Sequence, residues 1–250
     1  MSILTQIQKV KPLVLNLANQ VTTQRVADVI SFLGASPLMT KEIQEIESLL
    51  TIADALVVNI GTISEADGPI FLKACQLANQ MNKPIVLDPV AVNVPYRASV
   101  VNQLLNAVSF DIIRGNAAEI AWFADKKVVS KGIDALELTV SPENAKIAAK
   151  RTGAIIVQTG KTDVVTDGNK VLFVSTDSPL FKVNVGCGDM LSATIGTFVA
   201  VSDNLIQSAY EATKFFGEAG VRATEDVQNL PGMFINAFLD EIYQKAREAK

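Results

Sequence analysis

The sequence predicts a doubly wound α/β domain, a mostly parallel central sheet with helices on both faces. Three observations carry that expectation. Apolar runs such as Ala55–Ile60 and Pro84–Asp88 are continuous rather than alternating, the mark of strands buried on both faces. Stretches with apolar residues at helical spacing lie between them, as at Val26, Val29, Ile30 and Leu33. Polar or glycine clusters follow the strands at once, where open parallel sheets collect ligands. With 250 residues, 49% of them hydrophobic, and no Pro/Gly/Ser-rich linker, residues 1–250 are expected to form one domain with a large core.

Each element has its own signal. Residues 1–11 read as a short polar helix or arm. Leu13–Leu17 is the first strand, and the amides of Asn16 and Asn19 after it either hold a ligand or make turns. The helix through Leu33 stops at Gly34. Ala35-Ser36-Pro37-Leu38-Met39 reads as a breaker loop, with Met39 suited to line an apolar pocket or to fill the core. Ile43, Ile46, Leu49, Leu50 and Ala53 mark a second helix. The strand Ala55–Ile60 runs into Gly61-Thr62, and a helix from Gly68 to Gln80 leads to the strand ending at Asp88, with Pro89 fixing the turn. A helix over Tyr96–Val108 precedes the strand Phe110–Arg114. Asn116 and Glu119 then have capping-box spacing, a sufficient structural reason for both, though a capping Glu119 can still face a metal through water.

A loop at Lys126–Lys131 leads to a helix over Pro142–Arg151 and the strand Ala154–Gln158, which ends in Thr159-Gly160-Lys161-Thr162-Asp163. Val164–Val174 is a hairpin turning at Asp167-Gly168. Phe181–Val185 is expected to be the last strand, with helices over Gly188–Ala200, Leu205–Ala223 and Pro231–Lys245 after it. Phe215, Phe216, Phe234 and Phe238 suit core or subunit contacts.

The segment Gly186-Cys187-Gly188-Asp189 is chemically the most pointed. Its glycines let another group approach the main chain. The free N–H groups and dipole of the following helix make a place for an anion. Asp189 stands at the mouth of that place, where it either caps the helix or orients an attacking hydroxyl and takes its proton. Leu191 stands where a dinucleotide fingerprint needs its third glycine, so a Rossmann site is not expected. Gly160-Lys161-Thr162 is not the end of a P-loop, because Ile155 replaces the required first glycine.

Composition narrows the chemistry. Net charge is −4 with no Lys/Arg block, which argues against nucleic acid and acidic membranes as partners. No uncharged stretch approaches the ~20 residues that span a bilayer, and the Leu13–Leu15 run is broken too soon for a signal peptide. Two well-separated cysteines, Cys75 and Cys187, fit a reducing cytoplasm. There is no histidine, which removes histidine triads and histidine-bound zinc together.

Taken in order, Asn19-x-Val21-Thr22, Gly34-Ala35-Ser36-Pro37-x-Met39, Asn59-Ile60-Gly61-Thr62, Asp88-Pro89-Val90, Ile113-Arg114-Gly115-Asn116-x-x-Glu119, Thr159-Gly160-x-x-Asp163 and the Gly186 loop resemble the hydroxyethylthiazole kinase family. The match runs from about Pro12 to Ala200, most of the chain. That family is a branch of the ribokinase-like kinases, whose fold is an α/β/α sandwich. The resemblance implies transfer of the γ-phosphate of ATP to 4-methyl-5-(2-hydroxyethyl)thiazole, a salvage step toward thiamine. It implies that Met39 and Gly186 touch the substrate, with Asn19 beside them. It places Arg114 and Thr159 on ATP phosphates, with Gly188 and Asp163 at the nucleotide side. Asp88 and Glu119 would organise Mg²⁺, partly through water. A homotrimer with active sites between subunits is also implied.

Two departures touch the substrate pocket. Asp189 stands where the family usually has Cys, which is closer to the wider ribokinase-like pattern with Asp as base, and Leu15 stands where a His is usual. The loop after Val90 is also about one residue short by comparison. A kinase of another small heterocyclic alcohol is therefore a second expectation. A lyase of the NAD(P)H-hydrate dehydratase type on the same fold is a third, and a nucleotide-binding protein without turnover a fourth.

Overall fold

The computed structural model describes residues 1–126 and 140–248. The loop expected at Lys126–Lys131 therefore lies outside the described residues from 127 onward. In chain order the first elements are α1 (Ile3–Val10), β1 (Leu13–Leu17), α2 (Thr23–Leu33), β2 (Ser36–Met39), α3 (Ile46–Ile52), β3 (Ala55–Asn59), α4 (Asp67–Gln80), β4 (Ile85–Asp88), α5 (Pro95–Ala107), β5 (Ile112–Asn116) and α6 (Ala117–Phe123). After the gap come α7 (Pro142–Thr152), β6 (Ile155–Thr159), β7 (Asp163–Thr166), β8 (Val171–Val174), α8 (Leu180–Val183), α9 (Cys187–Val199), α10 (Leu205–Asp226) and α11 (Pro231–Glu248).

The described strands form one sheet in the order β2-β1-β3-β4-β5-β6-β7-β8. Pairing is parallel from β2 through β6, and only β7 and β8 run antiparallel. This is the ribokinase-like α/β fold. The chain leaves β1 in one direction for β2 and in the other for β3, so the strand order reverses beside β1. A parallel sheet opens its ligand crevice at such a switch point, beyond the carboxyl ends of the strands. Register brings the strand ends level: Asn59 pairs with Asp88, and Asn116 with Thr159.

Apolar side chains fill both faces of the sheet. On one side α1, α2, α9, α10 and α11 cover Val14, Val57, Val86, Ile112 and Val157. On the other, α3 to α7 cover Leu15, Leu56, Leu87, Ile113 and Ile156. Odd and even residues of each strand thus serve different cores, which is why these strands read as unbroken apolar runs. Helix α9 is the most enclosed: Met190 and Leu191 through Val199 are all buried. It comes down hard on β3, since a Cβ on Gly196 would lie 2.4 Å from Val57 Cγ2. That contact fixes where the first turn of α9 sits relative to the strand ends.

Two expectations fail locally. Ser36–Met39 is an edge strand rather than a breaker loop. Pro37 is compatible with that, because an edge strand leaves one side without a ladder to feed. Phe181–Val185 is not a strand. Residues Leu180–Val183 form a short helix, and Val183 and Val185 are 63% and 66% exposed. Phe181 explains the difference: its ring enters a cluster with Phe216, Phe234 and Phe238 at centroid distances of 5.2, 5.6 and 5.5 Å. A Cβ on Gly220 would come within 2.1 Å of that ring, so a glycine on α10 opens the slot. The favourable ring packing, about 0.5–1.5 kcal/mol per pair, outweighs the β preference of two valines. The same cluster makes Phe216, Phe234 and Phe238 core residues.

Candidate active site

Asp189 occupies the first turn of α9, held by a loop that only glycine can form. Gly186 caps the helix with φ +94°, and a Cβ there would meet Thr22 Cγ2 at 2.7 Å. Arg25 donates to the carbonyl of Val185 and ties the same loop to α2. The half-buried Asp189 carboxylate then turns toward the switch point. Its Oδ2 accepts from Asn19 Nδ2 at 2.9 Å and from the Thr22 hydroxyl at 2.5 Å, and its Oδ1 accepts from Asn59 Nδ2 at 2.9 Å. Three elements far apart in sequence converge there: the β1–α2 turn, the end of β3 and the start of α9.

Beside it, Arg114 projects from β5 across the N-terminus of α9. A Cβ on Gly188 would lie 2.3 Å from Arg114 Nη1, so the missing side chain is what admits the guanidinium. Arg114 Nη2 donates to Thr159 Oγ1 at 3.0 Å, Nη1 lies 3.6 Å from Asp88 Oδ2, and Nε is buried without a partner. A guanidinium facing the positive end of a 13-residue helix is electrostatically unfavourable unless an anion joins them. Asp88 is one such anion, and the unpaired Nε leaves Arg114 with capacity for a second.

Asp88, at the end of β4, is fully buried. Ser192 donates to its Oδ2 at 2.7 Å, while its Oδ1 has no hydrogen-bond partner. Burial pushes its carboxyl up to about 7, the charges of Asp189 and Glu119 push the same way, and Arg114 and Ser192 oppose them. A hard cation next to Oδ1 would satisfy both the orphaned oxygen and the excess negative charge. Glu119 is engaged differently: Oε1 accepts from Ala91 N–H at 2.8 Å and Oε2 from Asn116 N–H at 2.8 Å, within the complete capping box of α6. Each of its oxygens keeps a lone pair. No group of three or more His, Cys, Asp or Glu able to hold a metal occurs among the described residues. The orphaned Oδ1 of Asp88 would suit a cation that takes its other ligands from water and phosphate, as Mg²⁺ commonly does, with Glu119 near enough to join through water.

The remaining expected residues lie at the flanks. Thr159 Oγ1 meets Arg114 directly. The Asp163 carboxylate accepts from Gly160 N–H at 2.9 Å and closes the turn after β6. Burial raises that carboxyl to about 7, eased by its Gly160 hydrogen bond and by Arg114 and reinforced by Asp177. Met39 ends the edge strand in register with Asn16, half-buried against the α2–α9 side of the core. Cys187 is buried, which pushes its thiol up to about 12, so it brings no thiolate to the site. The structure thus joins Asn19, Asp88, Arg114, Thr159, Gly186, Gly188 and Asp189 into one crevice, with Glu119 adjoining and with Met39 and Asp163 on its borders.

Sequence reasoning gave no role to Thr22, Asn59 as a partner of Asp189, or Ser192. Thr22 and Asn59 stood inside flagged clusters, but nothing in a linear sequence pairs them with a residue 130 or 167 positions away. Ser192 did leave a trace: it lies three residues after Asp189 on α9, the spacing that puts two side chains on one face.

Comparison with known proteins identifies the family. The model of the Hydroxyethylthiazole kinase family matches residues 4–248. The chain is 65% identical over 250 residues to hydroxyethylthiazole kinase of Lactococcus lactis subsp. cremoris (strain MG1363), covering 100% of both chains. It is 67% identical over 248 residues to that of Lactococcus lactis subsp. lactis (strain IL1403), with 99% of each covered. The solved structure of hydroxyethylthiazole kinase protein from Pyrococcus horikoshii OT3 superposes with a TM-score of 0.86 at 29% identity, over 99% of this chain and 95% of that one. Relatives this similar along the whole length are kinases, so the lyase and the binding protein without turnover give way. The chain belongs to the hydroxyethylthiazole kinase family.

Proposed function

We propose that residues 1–250 work as one kinase domain that moves the γ-phosphoryl group of ATP to the primary alcohol of 4-methyl-5-(2-hydroxyethyl)thiazole, a salvage reaction toward thiamine. The observation that carries this reading is the meeting of Arg114, the amino end of α9 and Asp189 in one crevice. Phosphoryl transfer needs little covalent help from protein and much positioning and charge stabilisation. Arg114 and Thr159 bind phosphate oxygens, and the Gly186–Asp189 turn receives the charge that builds on the transferred group. Asp189 orients the hydroxyl and takes its proton as the alcohol oxygen bonds to phosphorus and the bond to ADP breaks. Asp88, with Glu119 through water, holds the Mg²⁺ that neutralises phosphate charge when bound. Met39, Gly186 and Asn19 form the thiazole side.

Other parts of the reading follow the family. The chain works in the cytoplasm, in keeping with the absence of any helix long and apolar enough to cross a membrane among the described residues. It assembles as a homotrimer with active sites between subunits, which light scattering tests by mass.

The deciding experiment measures ADP release from ATP and Mg²⁺ with a panel of heterocyclic alcohols. The thiazole alcohol should be the best substrate, and Asp189→Ala should lower kcat by about 10² to 10⁴. Undiminished turnover in that variant removes Asp189 from the role of base. Preference for a pyrimidine alcohol removes the thiazole assignment and leaves the kinase.

A further inference from the structure

The hydrogen bonds around Asp189 single out one of its two oxygens, given the reading of Asp189 as the base. An ionised carboxylate accepts only, with about four lone-pair sites over two oxygens. Oδ2 already takes two donors, Asn19 Nδ2 at 2.9 Å and the Thr22 hydroxyl at 2.5 Å. Oδ1 takes one, Asn59 Nδ2 at 2.9 Å.

These donors cannot simply turn away. The side-chain oxygen of Asn59 accepts from Gly61 N–H at 2.8 Å and from Asn19 Nδ2 at 3.3 Å, which forces its NH₂ toward Asp189. The side-chain oxygen of Asn19 accepts from the N–H groups of Val21 and Thr22 at 2.9 and 3.1 Å, which forces its NH₂ the same way. Thr22 is 2% exposed, and its methyl is wedged against Gly186. Its hydroxyl oxygen is 2.5 Å from Asp189 Oδ2 against 3.2 Å from its other acceptor, Asn19 Oδ1, so the shorter bond to Asp189 is favoured.

We infer that Thr22 and Asn59 are positioning residues: Thr22, with Asn19, fills Oδ2 of Asp189 and Asn59 pins Oδ1, so that Oδ1 keeps the open lone pair that accepts the alcohol's proton. In the transfer, the alcohol O–H bond breaks toward the vacant lone pair of Oδ1 as the O–P bond forms and ADP departs with the electron pair of the broken bond. On this inference Thr22 and Asn59 act through the orientation of the base.

Thr22→Val is the sharpest test, because it keeps the shape and the methyl wedge while deleting the hydroxyl. The assay is ADP release with the thiazole alcohol, alongside calorimetry of ATP binding to the intact protein. In Thr22→Val, kcat should fall about 10- to 100-fold, the range for a hydrogen bond to a charged group. The KM for the alcohol and the Kd for ATP should stay within about threefold, and Thr22→Ser should restore kcat to within about threefold of wild type. Asn59→Ala provides an independent arm with the same split between kcat and ATP affinity, and decides the matter should Thr22→Val not bind ATP. Wild-type kcat in Thr22→Val or in Asn59→Ala overturns the inference, as does an equal loss in Thr22→Val and Thr22→Ser, which would trace the effect to packing. A wild-type protein that releases no ADP with the alcohol fails at the earlier step: the functional reading falls first and this inference falls with it.

Discussion

Asp54 and Asp111 stand where strands begin, Asp88 and Asp189 stand on the rim where strands end, and their partners differ in kind. Asp54 Oδ2 accepts from Leu13 N–H, and Asp111 Oδ2 from Ile85 N–H, both at 2.8 Å. Each carboxylate ties the start of one strand to its neighbour. Asp88 and Asp189 are met instead by side chains: Ser192 and Arg114 for the first, Asn19, Thr22 and Asn59 for the second. At the strand starts, Asp54 and Asp111 are spent on main-chain N–H groups of the neighbouring strand and do architecture. A carboxylate that is oriented by side chains and still has acceptor capacity is available for chemistry.

Cavity size points the other way, and the chemistry decides. A cleft of about 610 Å³ lies at the strand-start end and is lined by Asp54, Lys83, Asp111 and Asp203 among others. The hollow at Asn16, Asn19, Asn59 and Asp189 is much smaller, about 10 Å³ on the same measure. Yet two of the buried groups left unpaired among the described residues, Asp88 Oδ1 and Arg114 Nε, belong to the rim; the others are on Gln158, Thr176 and Glu241, and none lines the larger cleft. Unpaired buried polar groups are costly, and a ligand that pairs them recovers the cost.

The contrast can be broken in three ways. The largest effect is expected from Gly188→Ala, whose methyl would displace the Arg114 guanidinium. The displaced atoms are the far end of a flexible side chain, so the fold should survive while ATP affinity falls about 10- to 100-fold. Calorimetry showing wild-type affinity would mean that Arg114 does not serve phosphate from this position. Asp54→Ala comes next and should act in the opposite manner. It should cost about 1–2 kcal/mol of stability in urea unfolding by orphaning Leu13 N–H, with kcat unchanged. A tenfold fall in kcat would erase the distinction between the two ends.

The third test concerns the pH dependence of Asp163, whose partly buried carboxyl is raised to about 7. A carboxyl with a folded value above its unfolded one binds its proton more tightly when folded. Its contribution to stability is complete below about pH 4 and is lost as pH rises through about 7. Asp163→Asn cannot titrate, so its melting temperature relative to wild type should climb between pH 5 and pH 8. A constant difference across that range would show that the charge of Asp163 is balanced inside the fold.

Much of this site was legible in one dimension because parallel sheets place ligands after their strands. Asn19, Asp88, Arg114, Thr159 and Asp189 each follow or end an apolar run, and the structure brings all of them to one rim. Phe181–Val185 was misread because three β-favouring side chains in five positions carry no record of the slot that Gly220 opens on another helix. Met39 was placed at the rim by its motif, but Ser36–Met39 gave no strand signal: four residues with a proline hold only because β1 lies alongside.

What the sequence determined by itself is the class of chemistry and the order of parts. A chain without histidine has to work through carboxylates, cations and helix ends, and apolar periodicity sets the alternation of strand and helix. What only the tertiary structure decided is which groups meet: Arg114 over Gly188, Ser192 on Asp88, and the amides of Asn19 and Asn59 with Thr22 around Asp189. The reason is physical. Periodicity is a property of neighbours along the chain, whereas a hydrogen bond spanning 130 residues exists only after both faces of the sheet have been buried and their strand ends brought level.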